Sequence, residues 1–258
     1  MTCGSPWDGG VSHTVPAVPE PTPHLNPAAE LAERVLLPGD PHRALTMAQA
    51  LLEAPRMFNA RRGLWGYTGA APDGRPLTIQ STGMGGPSAA IVAEELIRLG
   101  ARTLIRTGTC GALVEDLALG DLVVASEAIA ADGASRALGA GERLPADPAL
   151  TAALAAAGPA RTVAIVTTDL FYDPDPERPR TWRDAGAVAV EMETAAILAT
   201  AAGHGVSAGC VLVVTDQLAR GGRERMDHEE IEERSARLGE VALAAHSRAG
   251  GEPAPATR

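Results

Sequence analysis

The chain has 258 residues, 45% of them hydrophobic, and its 22 basic and 32 acidic side chains give a net charge of −10. This length and composition predict a soluble globular protein with a sizeable core, and the acidic balance argues against a nucleic-acid scaffold, because phosphate backbones bind basic surfaces. All 22 basic residues are arginine. The absence of lysine excludes Schiff-base enzymes, lysine-bearing P-loops and protein kinases.

Short runs of leucine and β-branched residues alternate with helical patterns along the chain. The predicted strands are residues 34–37, 77–81, 103–107, 122–125, 162–167, 188–190 and 210–215. The predicted helices are residues 41–53, 87–99, 149–157, 192–204 and 227–246. Because the strand runs are apolar on both faces, they predict a single α/β domain whose sheet is covered by helices on both sides.

Both ends of the chain differ from this pattern. Residues 1–22 are rich in proline and glycine and are predicted to form a disordered extension, and residues 249–258 a disordered tail. Residues 23–248 are therefore predicted to form the one folded domain.

The three cysteines, Cys3, Cys110 and Cys210, are far apart and form no CxxC pair or zinc-type cluster. They predict free thiols in a reducing compartment. No apolar run reaches the roughly 18 residues of a membrane helix, and residues 1–20 lack the pattern of a signal peptide. We therefore expect a cytoplasmic protein.

Glycine-rich segments follow three predicted strands, at residues 37–41, 81–88 and 106–111. In open α/β sheets ligands bind beyond the carboxyl ends of strands, and glycine-rich turns let backbone N–H groups approach an anion. Arg43 and Arg106 accompany these segments, and two guanidinium forks with the Thr109 hydroxyl suit a phosphate dianion. Each arginine alone is more typical of a surface salt bridge, but the set predicts a phosphate site.

Acidic residues follow two further strands. Glu191 and Glu193 flank Met192, and a carboxylate at a strand end can accept hydrogen bonds from sugar hydroxyls, although its ordinary role is to cap a helix. Asp216 is either a turn or helix cap or a general acid.

Phe171 and Tyr172 are adjacent in a chain that has only seven aromatic residues. Such a pair is most often part of a core. After a strand end, it can instead form a stacking wall for a flat ligand.

Together these segments resemble the nucleoside phosphorylase family that forms trimers of dimers, which includes purine nucleoside phosphorylases, uridine phosphorylases and methylthioadenosine-accepting relatives. The similarity runs from about residue 23 to residue 245. Its motifs stand in this sequence, in one order, as Pro23-His24-Leu25, Gly39-Asp40-Pro41-His42-Arg43, Arg62-Gly63, Gly83-Met84-Gly85-Gly86-Pro87-Ser88, Arg106-Thr107-Gly108-Thr109-Cys110-Gly111, Phe171-Tyr172, Val190-Glu191-Met192-Glu193 and Thr215-Asp216.

The resemblance implies a role for each matching residue. The implied phosphate ligands are Gly39, Arg43, Arg106 and Thr109, with Arg62 from a neighbouring subunit. The implied nucleoside contacts are Phe171 near the base, Glu191 beside base and sugar, Met192 and Glu193 at the ribose, and His24 of the neighbour at the 5′ end. Asp216 is implied as the catalytic acid that protonates N7 of a purine.

The resemblance also implies a central mixed sheet partly closed into a barrel and surrounded by helices. It implies a homohexamer built as a trimer of dimers, with no metal and no cofactor besides phosphate as co-substrate. The expected function is reversible phosphorolysis of purine ribo- or deoxyribonucleosides.

The base end of the site leaves alternatives open. Arg178 could grip a pyrimidine as in uridine phosphorylases, although the accompanying glutamine is missing. Residues 215–222 look like the purine branch, especially its methylthioadenosine-accepting members, and we weight Asp216 most because only a purine has an N7. An arginine that assists this acid could be Arg220, Arg223 or Arg225.

Two further classes of function compete with the phosphorylase. A nucleosidase would use water on a related fold and would not need Arg43, Arg62 and Arg106. A non-catalytic nucleoside-binding protein would not need Asp216.

Overall fold

The computed structural model describes residues 21–158, 160–219 and 224–249. The described strands are β1 Arg34–Leu37, β2 Glu53–Asn59, β3 Gly66–Ala70, β4 Pro76–Gln80, β5 Thr103–Ala112, β6 Leu122–Ala131, β7 Arg143–Pro145, β8 Ala160–Thr168, β9 Ala189–Glu191, β10 Ser207–Gln217 and β11 Glu224–Arg225. The described helices are α1 Pro41–Leu51, α2 Gly86–Arg98, α3 Gly133–Ala137, α4 Pro148–Ala157, α5 Arg178–Asp184, α6 Thr194–His204 and α7 His228–Ala249. Among these helices, none combines the length and apolar character needed to cross a bilayer.

All described strands belong to one mixed sheet, part of which closes on itself. Strands β10, β6, β8, β9 and β5 are neighbours in that order, and β5 pairs again with β10, which completes a five-stranded barrel. Strands β5 and β10 are parallel, whereas β10 and β6 are antiparallel. From β5 the sheet continues through β1, β4 and β3 to β2 at its edge. The predicted partly closed mixed sheet is confirmed.

Helices cover the sheet on two sides, as the apolar strand runs predict. One core cluster joins the strands to α2 and α6, through residues such as Leu96 and Ile197. A second cluster joins them to α1, α4 and α7, through residues such as Met47, Leu154 and Leu238. The prediction of a single α/β domain is therefore confirmed.

The helices that the sequence predicts from proline begin where expected, because proline suits the first helical turn. In α1 the Asp40 carboxylate also accepts a hydrogen bond from the Arg43 backbone N–H at 3.0 Å, the usual arrangement of an N-cap. Strands β2, β3, β7 and β11 and helices α3 and α5 were not predicted. Most of them are short, β3 contains glycine, and β2 is mostly exposed and contains a proline, so their local patterns are weak.

One prediction about the third glycine-rich segment was wrong. Residues 106–111 do not form a loop, because β5 continues to Ala112. The glycines allow close packing inside the sheet: a Cβ at Gly108 would lie 2.7 Å from the Arg106 guanidinium, and one at Gly111 would lie 2.8 Å from Leu218.

Most of the predicted terminal segments, residues 1–20 and 250–258, lie outside the described residues, as does Cys3. Cys110 and Cys210 are free and buried thiols, as the sequence predicts. The sequence also suggests that the arm containing His24 buries few apolar side chains in its own subunit. This was wrong for the next residue, Leu25, which is completely buried in the core.

Candidate active site

The loop between β1 and α1 lies against two arginines. A Cβ built on Gly39 would be 3.7 Å from Arg43 Nη2 and 4.0 Å from Arg106 Nη1. The next glycine-rich loop is equally close, since the Gly83 carbonyl would be 3.4 Å from the same Cβ. The predicted phosphate residues Gly39, Arg43 and Arg106 are thus brought together.

Two guanidinium nitrogens at this loop are buried without a hydrogen-bond partner among the described residues, Nη1 of Arg43 and Nη1 of Arg106. Burial of this kind is costly for a charged donor. Burial and the neighbouring charge of Arg106 lower the pKa of Arg43. A dianion placed between the two forks would satisfy both nitrogens and offset the repulsion between the cations.

The rest of the Arg106 side chain is fixed by two carboxylates. Its Nε donates to Glu191 Oε2 at 2.8 Å, and its Nη2 donates to Glu193 Oε2. Although burial lowers the pKa of Arg106, the two carboxylates outweigh this and raise it further above the usual arginine value. Arg106 is therefore a permanent, rigidly oriented cation with one nitrogen left for a ligand.

Glu191 occupies the end of β9, and its side chain is only 1% exposed. One of its carboxylate oxygens accepts from the Glu193 backbone N–H at 2.9 Å, and both accept from the Thr194 N–H at the start of α6 at 3.0 Å. Thr167 donates to it from β8. Glu191 thus caps a helix and orients Arg106, and its implied contact with the nucleoside stays a prediction.

Glu193 links the arginines to the glycine-rich loop before α2. Its Oε1 accepts a hydrogen bond from the Gly85 N–H at 2.6 Å, while Oε2 binds Arg106. Gly85 has a φ of +88°, a conformation that suits glycine. Burial raises the pKa of Glu193, an effect that Arg106 opposes. The intermediate residue Met192 is half-buried. This places the predicted ribose residues beside the predicted phosphate residues.

Asp216 lies in β10, not in a turn or at a helix end, so the cap interpretation was wrong. A β-bulge between Val214 and Asp216 interrupts the pairing with β5, and bulges re-aim side chains. The Thr215 hydroxyl donates to Asp216 Oδ2 at 2.9 Å. Arg225 Nη1 is 3.5 Å from Asp216 Oδ1, across the β10–β11 pair. Arg220 and Arg223, the other two candidates for an assisting arginine, lie outside the described residues.

Phe171 and Tyr172 follow β8 and are 45% and 85% exposed, so the interpretation of the pair as core residues was wrong. Their rings meet edge to face at 5.0 Å. The Arg225 guanidinium carbon lies 5.7 Å from the centre of the Phe171 ring. Arg225 is therefore close to both the exposed Phe171 ring and Asp216.

The parallel strands β5 and β10 join the two ends of the site. Thr109, which is partly buried, is opposite Val213, and Gly111 is opposite Asp216. Arg106 lies three residues before Thr109 in the same strand. Arg106 and Asp216 therefore lie on the same pair of strands, with Arg106 opposite Cys210 and Asp216 opposite Gly111.

Among the described residues, no hydrogen bond or ion pair joins Arg62 or His24 to the other predicted site residues. Arg62 lies in a 3₁₀ turn with a φ of +60° and is exposed. His24 contacts Glu95 near the end of α2, and ten residues of an α-helix separate this end from the glycine-rich loop by about 15 Å. Their implied roles, which require a neighbouring subunit, stay predictions.

A barrel of this topology, with two unpartnered arginine nitrogens beside a glycine-rich loop and an acid on a paired strand, is typical of a phosphorylase-like protein. Residues 33–248 match the family model described as the Phosphorylase superfamily, and the chain belongs to that superfamily. The resemblance identified in the sequence is confirmed.

Curated relatives include three DeoD-type purine nucleoside phosphorylases. That of Caldanaerobacter subterraneus subsp. tengcongensis is 41% identical over 201 residues, which cover 74% of this chain and 86% of the relative. That of Clostridium perfringens is 38% identical over 223 residues, covering 83% and 93%. That of Geobacillus kaustophilus is 39% identical over 229 residues, covering 86% and 95%.

Proposed function

We propose that this chain is a purine nucleoside phosphorylase, which reversibly converts purine ribo- or deoxyribonucleosides and phosphate into free base and sugar 1-phosphate, as in purine salvage. The observation that carries the proposal is the pair of buried, unpartnered guanidinium nitrogens of Arg43 and Arg106 beside Gly39. Arg106 and Asp216 lie on the paired strands β5 and β10, and the similarity to DeoD-type purine nucleoside phosphorylases supports the choice of base.

The reaction needs a nucleophile held beneath the sugar and an acid above the base. Glycosidic cleavage builds positive charge on the sugar, and a phosphate bound by Arg43, Arg106, Thr109 and the Gly39 loop stabilises this charge before it attacks C1′. Fixing the dianion in place removes much of the entropic cost of the encounter. Glu193 and Met192 hold the ribose in this arrangement.

The departing purine gains electron density, which a proton on N7 relieves. Asp216 supplies this proton, and the Thr215 hydroxyl holds its carboxyl group in place. Arg225 stabilises the carboxylate that remains, and Phe171 stacks near the base. General acids of this kind contribute roughly 10²–10⁴-fold to rate.

The structure weighs against the alternative functions. Arg178, the candidate for gripping a pyrimidine, is ion-paired with Asp173 at 3.2 Å and with Asp175 at 3.5 Å. A nucleosidase has no use for unpartnered arginines at an anion site. A passive binding protein has no use for an acid supported by a threonine and an arginine.

We infer that the enzyme needs no cofactor and acts in the cytoplasm on small molecules. Phosphate is its co-substrate, and the chain holds no lysine for cofactor chemistry of the Schiff-base kind.

The proposal predicts strict phosphate dependence. Release of base from inosine, adenosine or guanosine should require phosphate and yield sugar 1-phosphate, because the arginine set binds the nucleophile. Base release should be followed with and without phosphate, with methylthioadenosine and uridine included in the panel. Equal release of free ribose without phosphate would establish the nucleosidase instead, and uridine as best substrate would establish a uridine phosphorylase.

We also propose a homohexamer, a trimer of dimers, in which Arg62 and His24 complete a neighbour's site. The exposure of Arg62 and the distance of His24 from its own site loop support this arrangement. Arg62→Ala and Asp216→Asn should each be nearly inactive alone. When the two variants are co-expressed, half of the subunit pairs contain one of each, and one of the two sites in such a pair receives both native residues. About a quarter of the wild-type number of sites should therefore be active.

Sedimentation of the unmutated protein provides the control for this prediction. We expect an assembled oligomer at assay concentration. A fully active monomer, or a co-expressed mixture as inactive as its parents, would contradict shared sites.

A further inference from the structure

The two carboxylates that hold Arg106 differ in how many hydrogen bonds they already accept. An ionised carboxylate has about four acceptor positions, which its two oxygens share. Among the described residues, Glu193 accepts from the Gly85 N–H at 2.6 Å and from Arg106 Nη2. About two of its acceptor positions therefore stay open, which is what the 2′- and 3′-hydroxyls of a ribose require.

The acceptor positions of Glu191 are all occupied within the described part of the chain. Its four donors are Arg106 Nε at 2.8 Å, the Glu193 N–H at 2.9 Å, the Thr194 N–H at 3.0 Å and the Thr167 hydroxyl. The side chain is 1% exposed, so a ligand reaches it after one of these donors has moved. A nucleoside donor would then replace an internal hydrogen bond and gain little binding energy.

The contacts of the two carboxylates give the Arg106 guanidinium one orientation. Glu191 holds Nε and Glu193 holds Nη2, and bonds to two nitrogens of a planar group fix its plane. Gly108 lies against this plane, since a Cβ there would be 2.7 Å from the guanidinium carbon. Nη1 is thus directed to the Gly39 loop, where it has no hydrogen-bond partner among the described residues.

The hydroxyl of Thr167 holds Glu191 in turn. It donates to Glu191 Oε1 from β8, and it accepts from the Ala195 N–H at 2.9 Å at the start of α6. Thr167 is completely buried. The Glu191 carboxylate is therefore fixed between β5, β8 and α6 by contacts of the protein alone.

We infer that Glu191 is a positioning residue for phosphate and not a ligand of the nucleoside, because it holds the Arg106 fork toward the anion while Glu193 accepts from the sugar hydroxyls. The inference rests on the proposed function, in which Arg106 binds phosphate and Glu193 binds the ribose. It departs from the role beside base and sugar that the family resemblance implies for Glu191. The two carboxylates then act on different substrates, although both bind the same guanidinium.

The experiment compares Glu191→Gln with Glu193→Gln, its matched control. Each change removes one charge, keeps the size of the side chain and alters one of the two carboxylates that hold Arg106. The KM for phosphate is measured at saturating inosine, and the KM for inosine at saturating phosphate. Calorimetric titration of each protein with inorganic phosphate gives a Kd that does not depend on turnover.

We expect Glu191→Gln to raise the KM and the Kd for phosphate by about tenfold, the contribution of one charge-assisted hydrogen bond. The KM for inosine should change by less than about twofold. Glu193→Gln should raise the KM for both substrates, because Glu193 contacts both the ribose and Arg106. The inference would be overturned if Glu191→Gln raised the KM for inosine as much as Glu193→Gln does. A lower kcat with both KM values unchanged, which a merely structural role would produce, would also overturn it.

Thr167→Val tests the same link if Glu191→Gln does not fold. It leaves both carboxylates in place but loosens Glu191, so the KM for phosphate should rise by about threefold and the KM for inosine should not. Thr200→Val is the control, since Thr200 is also buried but donates to the Ala196 carbonyl within α6. Equal effects of the two threonine variants on phosphate would overturn the inference. Absence of phosphate binding by the unmutated protein would instead reject the proposed function.

Discussion

Asp216→Asn should lower kcat for inosine and adenosine by roughly 10²-fold or more, because asparagine keeps the shape of the side chain but cannot deliver a proton to N7. The hydrogen bond from Thr215 and the contact with Arg225 hold the native carboxyl group in a defined place. The loss should therefore fall on the chemical step, with KM for the nucleoside little changed. Steady-state rates of base release under saturating phosphate measure it.

Nucleosides methylated at N7 provide the internal control. Their leaving group is already cationic, so Asp216→Asn should affect them much less than inosine. Thr215→Val, which removes only the supporting hydroxyl, should lie between the wild type and Asp216→Asn. If inosine and adenosine cleavage were unchanged in Asp216→Asn, Asp216 would have a structural role only, and a uridine phosphorylase would be favoured if uridine were the best substrate.

Arg106→Ala should reduce kcat/KM for phosphate by an amount equivalent to about 2–4 kcal/mol of transition-state stabilisation, since it removes a charge-assisted contact at the nucleophile. The structure adds a second consequence. Arg106 neutralises the buried carboxylates of Glu191 and Glu193, and the loss of one partner of a buried ion pair costs about 3–5 kcal/mol of folding stability. Thermal unfolding should therefore show a lower Tm.

Arg43→Ala separates these two effects. Arg43 forms no ion pair with Glu191 or Glu193, so its removal should weaken phosphate use without a comparable loss of stability. Phosphate titrations and thermal unfolding of both variants test this difference. Unchanged phosphate KM and kcat in Arg106→Ala would remove Arg106 from the site.

Much of the fold could be predicted from the sequence, because most of its helices and strands have clear local patterns of apolar residues, proline and glycine. The strand at residues 34–37 was predicted with its observed bounds, since the apolar residues 35–37 directly before Pro38 and Gly39 indicate a short buried strand that ends in a turn. The weak strands β2 and β3 lacked such a pattern. They form because they pair with each other and with β4.

The closure of the barrel depends on strand pairings that cannot be predicted from any local sequence pattern. Apolar runs indicate buried strands, but the pairing of β10 with both β5 and β6 is a choice between partners distant in sequence. The glycines of residues 106–111 illustrate the same limit, because a loop and a crowded strand both favour glycine. Only the neighbouring side chains of Arg106 and Leu218 decide between them.

The sequence by itself determined the candidate chemistry of this protein. It indicated a set of arginine cations, carboxylates directly after apolar strands, and an aromatic pair that could be either exposed or part of the core. These groups could be identified because ligands in α/β folds bind beyond the carboxyl ends of the strands. The tertiary structure decided which of these groups act on one another. It placed Arg225 beside Asp216, placed Glu191 against Arg106 and the start of α6, and brought Glu95 to His24 across 71 residues of sequence. The physical reason is that charge and hydrogen bonding act over a few ångströms of space, while sequence spacing controls such distances only within a single helix, strand or turn.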